Sequence, residues 1–225
     1  MSPRTIARTA AQRGIGLIAV ADHNTASMVD PVARAAAEVG LGFLYGIELQ
    51  TREEVHLLAY FDDSAACHRF ADAVYELLPD RPNEPTYFGD QVIVTLDEEI
   101  VATERKLLVN SLDLGFDEAV ALVGAHGGLP VPAHVDREAF GLIAQLGFPP
   151  ETVRFDLVET VGGALPEGFG QAAAICSSDA HRPEEIGRRT TVFEIEASTT
   201  EEMILAARGI GGRSVTCVRE ERRAV

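Results

Sequence analysis

The sequence predicts an α/β fold built on a largely parallel sheet or barrel, and three observations carry that expectation. Apolar strand-like runs alternate with amphipathic helical stretches along the chain, the pattern in which helices cross between parallel strands. Hydrophobic residues make up 46% and charged residues 24% of the 225 residues, enough for one sizeable core, as a single large domain or at most two small ones. No shift in composition marks a boundary, so one domain over residues 1–225 is expected.

The chain opens MSPRTIARTAAQRG. Ser2 supplies a hydroxyl cap, Pro3 occupies the first helical position and Gly14 is a stop, which predicts a helix over 2–13. IGLIAVA (15–21) is the first strand and a helix follows over 28–39. LGFLYGIEL (41–49) and EVHLLAYF (54–61) are strands separated by a few polar residues, so they form a hairpin, with Glu53 and Glu54 as solvated turn charges. A helix is predicted over 64–78. LPDRPNEPTYFGDQ (78–91), rich in Pro, Asn and Gly, is a loop and the candidate lid or insertion. Helices are predicted over 97–109, 114–125 and 137–146. Strands are predicted at GLPVPAH (128–134), FDLVET (155–160), AAAICSS (172–178) and RTTVFEIEA (189–197). STTEEMILAARG closes the series as a helix over 199–208, with Ser198 or Thr199 as its cap and early glutamates.

Bulk chemistry narrows the functional classes. No apolar run approaches the roughly 20 residues that span a bilayer, and the first residues lack a secretory layout. Three scattered cysteines, Cys67, Cys176 and Cys217, fit reduced thiols in a cytoplasmic protein. With 19 basic against 35 acidic residues the net charge is −16, which opposes broad electrostatic binding of nucleic acid and is compatible with bound divalent cations.

The chemistry gathers at strand ends. LIAVADHN places Asp22 and His23 at a strand tip, and YGIEL places Glu48 near the end of the next. EVHLL carries His56, VPAHVDR carries His134, Asp136 and Arg137, and ICSSDAH carries Asp179 and His181. Parallel α/β sheets and barrels build their sites from strand ends, and imidazoles with carboxylates suit zinc, manganese or iron. His68, on an amphipathic helix, and His126, at a helix end, read as structural. No nucleophile elbow, P-loop or dinucleotide fingerprint is present, which leaves metal-activated water as the best nucleophile on offer.

In order, VADHNT, GIELQTREEVHLLAYF, LPVPAHVDR and CSSDAH resemble the second, third and later signatures of the PHP (polymerase and histidinol phosphatase) family. The match is to its small stand-alone bacterial metal-dependent phosphoesterases. The resemblance covers nearly the whole chain. It implies a distorted (β/α)7 TIM-like barrel with up to three metals (Mn, Zn or Fe) at the strand ends. It implies that Glu48 bridges two metals and that His56 and His134 complete one position with it. Asp179 would help bind the metal Glu48 shares, and His23 and His181 would serve the third. Asp22 would orient its neighbours and Arg137 would meet a substrate phosphate, although Val135 stands where relatives carry proline after the histidine. His181 or another strand-end histidine would protonate the leaving group.

The pattern departs at the front. The family's first strand carries a D-x-H-x-H motif, and this sequence has no H-x-H anywhere. The resemblance therefore implies an N-terminally incomplete domain, with Met1 corresponding to an internal methionine of such relatives through a misplaced start or a truncation. The function implied is hydrolysis of small phosphomonoesters, nucleotide bisphosphates or the 5′ ends of short oligonucleotides, with no duplex DNA or membrane partner. One alternative is a catalytically impaired metal-binding domain, in which an open barrel edge invites dimerisation or strand exchange. A weaker one is hydrolysis of a C–N bond, as in amidohydrolase barrels.

Overall fold

A computed structural model describes residues 1–219. Ser2 Oγ accepts the Thr5 amide and Pro3 sits in the first turn of α1 (Pro3–Gln12), whose Ala7 and Ala10 are buried. Gly14, at φ +72°, turns the chain into β1 (Leu17–His23). The helix α2 (Val29–Glu38) returns it to β2 (Gly42–Gln50), which pairs parallel to β1 in a register running from Leu17 opposite Gly42 to His23 opposite Glu48. Gly46 is required in that pairing, because a Cβ there would lie 2.7 Å from the Val20 carbonyl oxygen.

The predicted hairpin forms: β3 (His56–Phe61) runs antiparallel to β2, with Gln50 opposite His56. A connection this short cannot make a parallel crossover, so the main sheet is mixed rather than largely parallel. Its order is β1-β2-β3-β6, the last strand being Leu129–Pro132. Glu53 is more than a solvated turn charge. Its Oε2 accepts the Phe116 amide at 3.0 Å and so satisfies the start of the helix Phe116–Ala125. Asp63 caps α3 (Ser64–Leu77) in the same way, through the Ala66 amide.

Residues 78–109 depart most from expectation. A single helical turn, α4 (Pro85–Phe88), precedes an antiparallel pair, β4 (Val92–Val94) and β5 (Ile100–Thr103). The helix expected over 97–109 is therefore a turn, a strand and a loop. Glu98 takes φ +68°, the Thr95 amide donates to Glu99 O, and the run of Val and Ile favours extended backbone.

Beyond this excursion come α5 (Phe116–Ala125) and β6 (Leu129–Pro132), the latter antiparallel to β3. The helix expected over 137–146 is reduced to α6 (Leu142–Leu146), because Phe140 at φ +60° interrupts helical geometry. The strands β7 (Leu157–Glu159) and β8 (Ala173–Ile175) pair in parallel, and β9 (Arg189–Glu194) pairs antiparallel with β10 (Ser214–Arg219). The helix α7 (Thr200–Ala207), capped by Thr199, lies between those last two strands, and β10 was not expected.

Every residue of β3 is buried. Leu57, Ala59 and Phe61 enter a core shared with Phe70 of α3 and Phe116 of α5. Leu58 and Tyr60 enter a second core with Leu129, Leu157 and Ile175. Burial on both faces explains the unbroken apolar run HLLAYF, at roughly 2–3 kcal/mol per large side chain. The curvature continues past β6, where the Val135 amide donates to Glu159 O, and past β8, where the Cys176 amide donates to Thr191 Oγ1. It does not close into a barrel among the described residues. Among the described residues β1 pairs only with β2, and a cleft of about 1440 Å³ runs between β1 and the segments around Ser177 and Thr191.

Candidate metal centre

Pairing of His23 with Glu48 across β1 and β2 puts both side chains at one end of the sheet. His56 starts β3 and therefore arrives at the same end from an antiparallel strand. His134 follows β6 by two residues at φ +31°. Asn24 fixes the turn out of β1. Fully buried at φ +53°, it donates from its side chain to the carbonyls of Leu108 and Asn110, and its backbone amide donates to Glu48 O.

Glu48 Oε1 lies 3.2 Å from His56 Nδ1 and 3.4 Å from His134 Nε2, while Oε2 lies 3.5 Å from His23 Nδ1. The His56 and His134 nitrogens are themselves 3.2 Å apart. Donor atoms of His23, Glu48 and His56 all fall within 4.8 Å of one another. Buried His23 Nδ1 and His134 Nδ1 have no hydrogen-bond partner. A carboxylate and several ring nitrogens, turned inward with too few protons between them, suit a divalent cation. Burial alone would raise the Glu48 carboxyl. Hydrogen bonds from His134 and His56, with the charges of His56 and His23, overcome it and hold the group well below the ordinary carboxylate range. Burial lowers the pKa of His23, against the pull of Glu48.

The other expected residues surround this set without joining it. Asp179, at φ +45°, pairs through Oδ2 with Arg137 Nη1 at 2.9 Å. His181 is largely exposed, with Nδ1 3.8 Å from Asp179 Oδ1. Asp22 is reached by solvent through the cleft, yet crowding by protein raises its carboxyl pKa, as does nearby Glu48. Asp136 is occupied in a turn, accepting the amides of Val161 and Gly162. His68 binds Asp30 and His126 binds Leu122 O, as structural residues do.

Three contributors were missed from the sequence. Glu159, at the end of β7 and almost fully buried, accepts the His134 amide at 2.9 Å, and burial raises its carboxyl pKa. Its strand, FDLVET, ends in a carboxylate as the strand of Glu48 does, and that signal was available. Gln50 contacts His56 Nε2 at 3.2 Å, and Phe140 stacks on the His56 ring at 4.6 Å. An amide and a phenyl carry no ligand signature in a sequence.

Comparison with known proteins adds the following. A family profile described as PHP-associated matches residues 172–208. No curated protein matches the chain. Among solved structures, the lesion-specific endonuclease PfuEndoQ from Pyrococcus furiosus superposes with a TM-score of 0.68 at 19% identity, over 96% of this chain and 53% of that one. A further endonuclease Q structure, in complex with a 27-mer duplex bearing an abasic lesion at the active site, gives 0.67 at 19% identity over 95% and 53%. This chain thus spans about half the length of those endonucleases. A proposed metal-dependent phosphoesterase from Bifidobacterium adolescentis gives 0.51 at 19% identity, over 81% and 83% of the two chains. At such identity the likeness is one of fold.

Proposed function

We propose that this chain is a PHP-domain protein, a reading supported by its PHP-associated segment over residues 172–208 and by the fold of its structural neighbours. From that premise we propose that it is a metal-dependent phosphoesterase acting on small phosphomonoesters, nucleotide bisphosphates or the 5′ ends of short oligonucleotides. The convergence of Glu48 with the imidazoles of His23, His56 and His134 carries this reading.

These four residues would hold divalent metal, with manganese, zinc and iron all suited to the donor set, and Asp179 and His181 would extend the site toward further ions. Such metal supplies Lewis-acid polarisation of a phosphoryl oxygen and a bound water of lowered pKa. The chain's own residues do the rest. Arg137 is half-buried, with Nε donating to Ala139 O and Nη1 to Asp179 Oδ2, and its Nη2 would meet a phosphate oxygen. His181, largely exposed at the solvent side, would protonate a departing alkoxide. Asp22, beside His23 at the end of β1, would orient its neighbours. The net charge of −16 favours small substrates over long duplexes.

A second reading is supported by the cleft beside β1. We infer that the domain wants one more strand there, and that without it the chain binds metal but turns over poorly. Metal content and phosphatase activity, measured with manganese and with zinc on this chain and on His134→Ala, separate the readings. Turnover of a phosphomonoester that is lost in His134→Ala supports the enzyme. Metal binding without turnover supports the impaired domain. Metal content unchanged by His134→Ala overturns the site assignment.

A further inference from the structure

The loop that carries Asp179 and His181 is gripped from behind. Arg188 Nε donates to Ser178 O at 2.6 Å and its Nη2 donates to Asp179 O at 3.0 Å, so one guanidinium takes two successive carbonyls. Arg189 Nε takes the carbonyl before them, that of Ser177, at 2.9 Å. Successive carbonyls of extended backbone point in opposite directions. The left-handed φ of +45° at Asp179 is what brings this pair to one side. The amides of His181 and Arg182 donate to Glu185 Oε2 at 2.8 and 3.2 Å, and Glu185 is itself paired with Arg188 at 3.4 Å. The two amides just before them, of Asp179 and Ala180, have no acceptor among the described residues.

In a trans peptide the N–H points opposite to the C=O of the same unit. The Ser178 carbonyl shares its peptide with the Asp179 amide, and the Asp179 carbonyl shares its own with the Ala180 amide. Both N–H groups therefore point away from Arg188. Ser178, Asp179 and Ala180 line the cleft that reaches His23 and Glu48, whereas Arg188 does not line it. We propose that Arg188 is a positioning residue that turns the Asp179 and Ala180 amides into the cleft as a paired donor for the oxygens of a phosphate group. Successive backbone N–H groups on one side make an anion-binding concavity, and here a cation stands behind it. The Asp179 carboxylate would repel an anion, but Arg137 Nη1 holds its Oδ2 at 2.9 Å and offsets that charge. The proposal rests on the phosphoesterase reading for the identity of the substrate; binding of the anion is a property of the metal-free chain.

Amide NMR of the nitrogen-labelled, metal-free chain, titrated with inorganic phosphate and separately with sodium chloride at equal ionic strength, tests it. Saturable movement of the Asp179 and Ala180 amide resonances with phosphate, absent with chloride, is expected in the wild type. Arg188→Met removes both carbonyl contacts at a side chain that is 39% exposed, so the fold is expected to survive by circular dichroism. A hydrogen bond to a charged group is worth about tenfold or more, so Arg188→Met is expected to bind phosphate at least about tenfold more weakly. Arg188→Lys keeps the charge but has no planar fork to span two carbonyls, and it is expected to resemble Arg188→Met. Wild-type phosphate affinity in Arg188→Lys shows action through charge alone and overturns the proposal, as does unchanged affinity in Arg188→Met. A wild type whose Asp179 and Ala180 amides ignore phosphate overturns it too. Should Arg188→Met fail to fold, the wild-type titration and Arg188→Lys decide. Phosphate binding at these amides in a chain that hydrolyses no phosphomonoester, with manganese or zinc supplied, supports the anion site and overturns the phosphoesterase reading instead.

Discussion

Replacing Glu48 with glutamine keeps the shape of the side chain and removes the one negative charge that three imidazoles share at 3.2, 3.4 and 3.5 Å. Loss of a partner that merely orients a ligand costs about 10–100-fold in affinity, so loss of a ligand's charge costs at least about 100-fold. Metal that binds the folded state alone stabilises it by RT ln(1 + [L]/Kd), about 2.7 kcal/mol at a hundred times Kd. For a chain of this length each kcal/mol moves Tm by about 2–4 °C, so saturating metal raises the wild-type Tm by about 5–11 °C. At the same metal concentration a hundredfold weaker site gains only RT ln 2, about 0.4 kcal/mol, and the shift falls to about 1–2 °C. Thermal melts of both proteins across a manganese or zinc series measure this directly. A full metal-induced shift in Glu48→Gln, with unchanged midpoint, would refute the placement of the metal.

Three further outcomes follow from the same geometry. Arg137→Met removes an ion pair that is part exposed on both sides, so it costs no more than about 1 kcal/mol of stability. Losing charge-assisted bonds worth about 1.5–3 kcal/mol to a substrate phosphate lowers kcat/KM roughly 10- to 160-fold, and equal activity in Arg137→Met contradicts its role. Gly46→Ala drives a Cβ to 2.7 Å from the Val20 carbonyl, costs about 1–3 kcal/mol and weakens metal binding by disturbing the pairing of His23 with Glu48; a wild-type Tm and affinity count against that register. The pH dependence of the metal-free protein carries two opposed signs. Glu48, with its lowered pKa, adds stability above the unfolded-state value that is lost as pH falls through the folded one. Glu159, with its raised pKa, favours the folded state fully below the unfolded value and progressively less as pH rises through the folded one. Glu159→Gln is therefore expected to melt above the wild type at pH 8, with the gap closing toward pH 4, and a constant gap across that range excludes the carboxyl as its source.

The strands around the site were legible because burial and chemistry agree in them. YGIEL and HLLAYF read as strands because both faces are covered, and the candidate ligands stand out as polar residues inside apolar runs. The hairpin was legible from the few polar residues between them. The direction of the sheet was legible only as far as that hairpin, since alternation of strand and helix says nothing of β6 joining β3 in antiparallel fashion. DEEIVATERKLLV spaces its apolar residues in a way that helix and strand both tolerate, and the turn at Glu98 settles it. Arg137 and Asp179 were each visible as candidate functional side chains, but their ion pair depends on two loops meeting and left no trace in sequence. Gln50 was invisible for a similar reason: its role lies in what faces it across the hairpin.

The unpaired side of β1 has a thermodynamic consequence. In a strand every second N–H and C=O points the same way, so half the backbone groups of Leu17–His23 are bonded to β2 and the other half face the cleft. Amide exchange along this strand should therefore alternate, slow on one parity and fast on the other. Any polypeptide that added to this edge would finish beside His23, within the same few ångströms as Glu48. Strand addition and metal binding are thus arms of one free-energy cycle, and whatever factor one contributes to the affinity of the other is returned in equal measure.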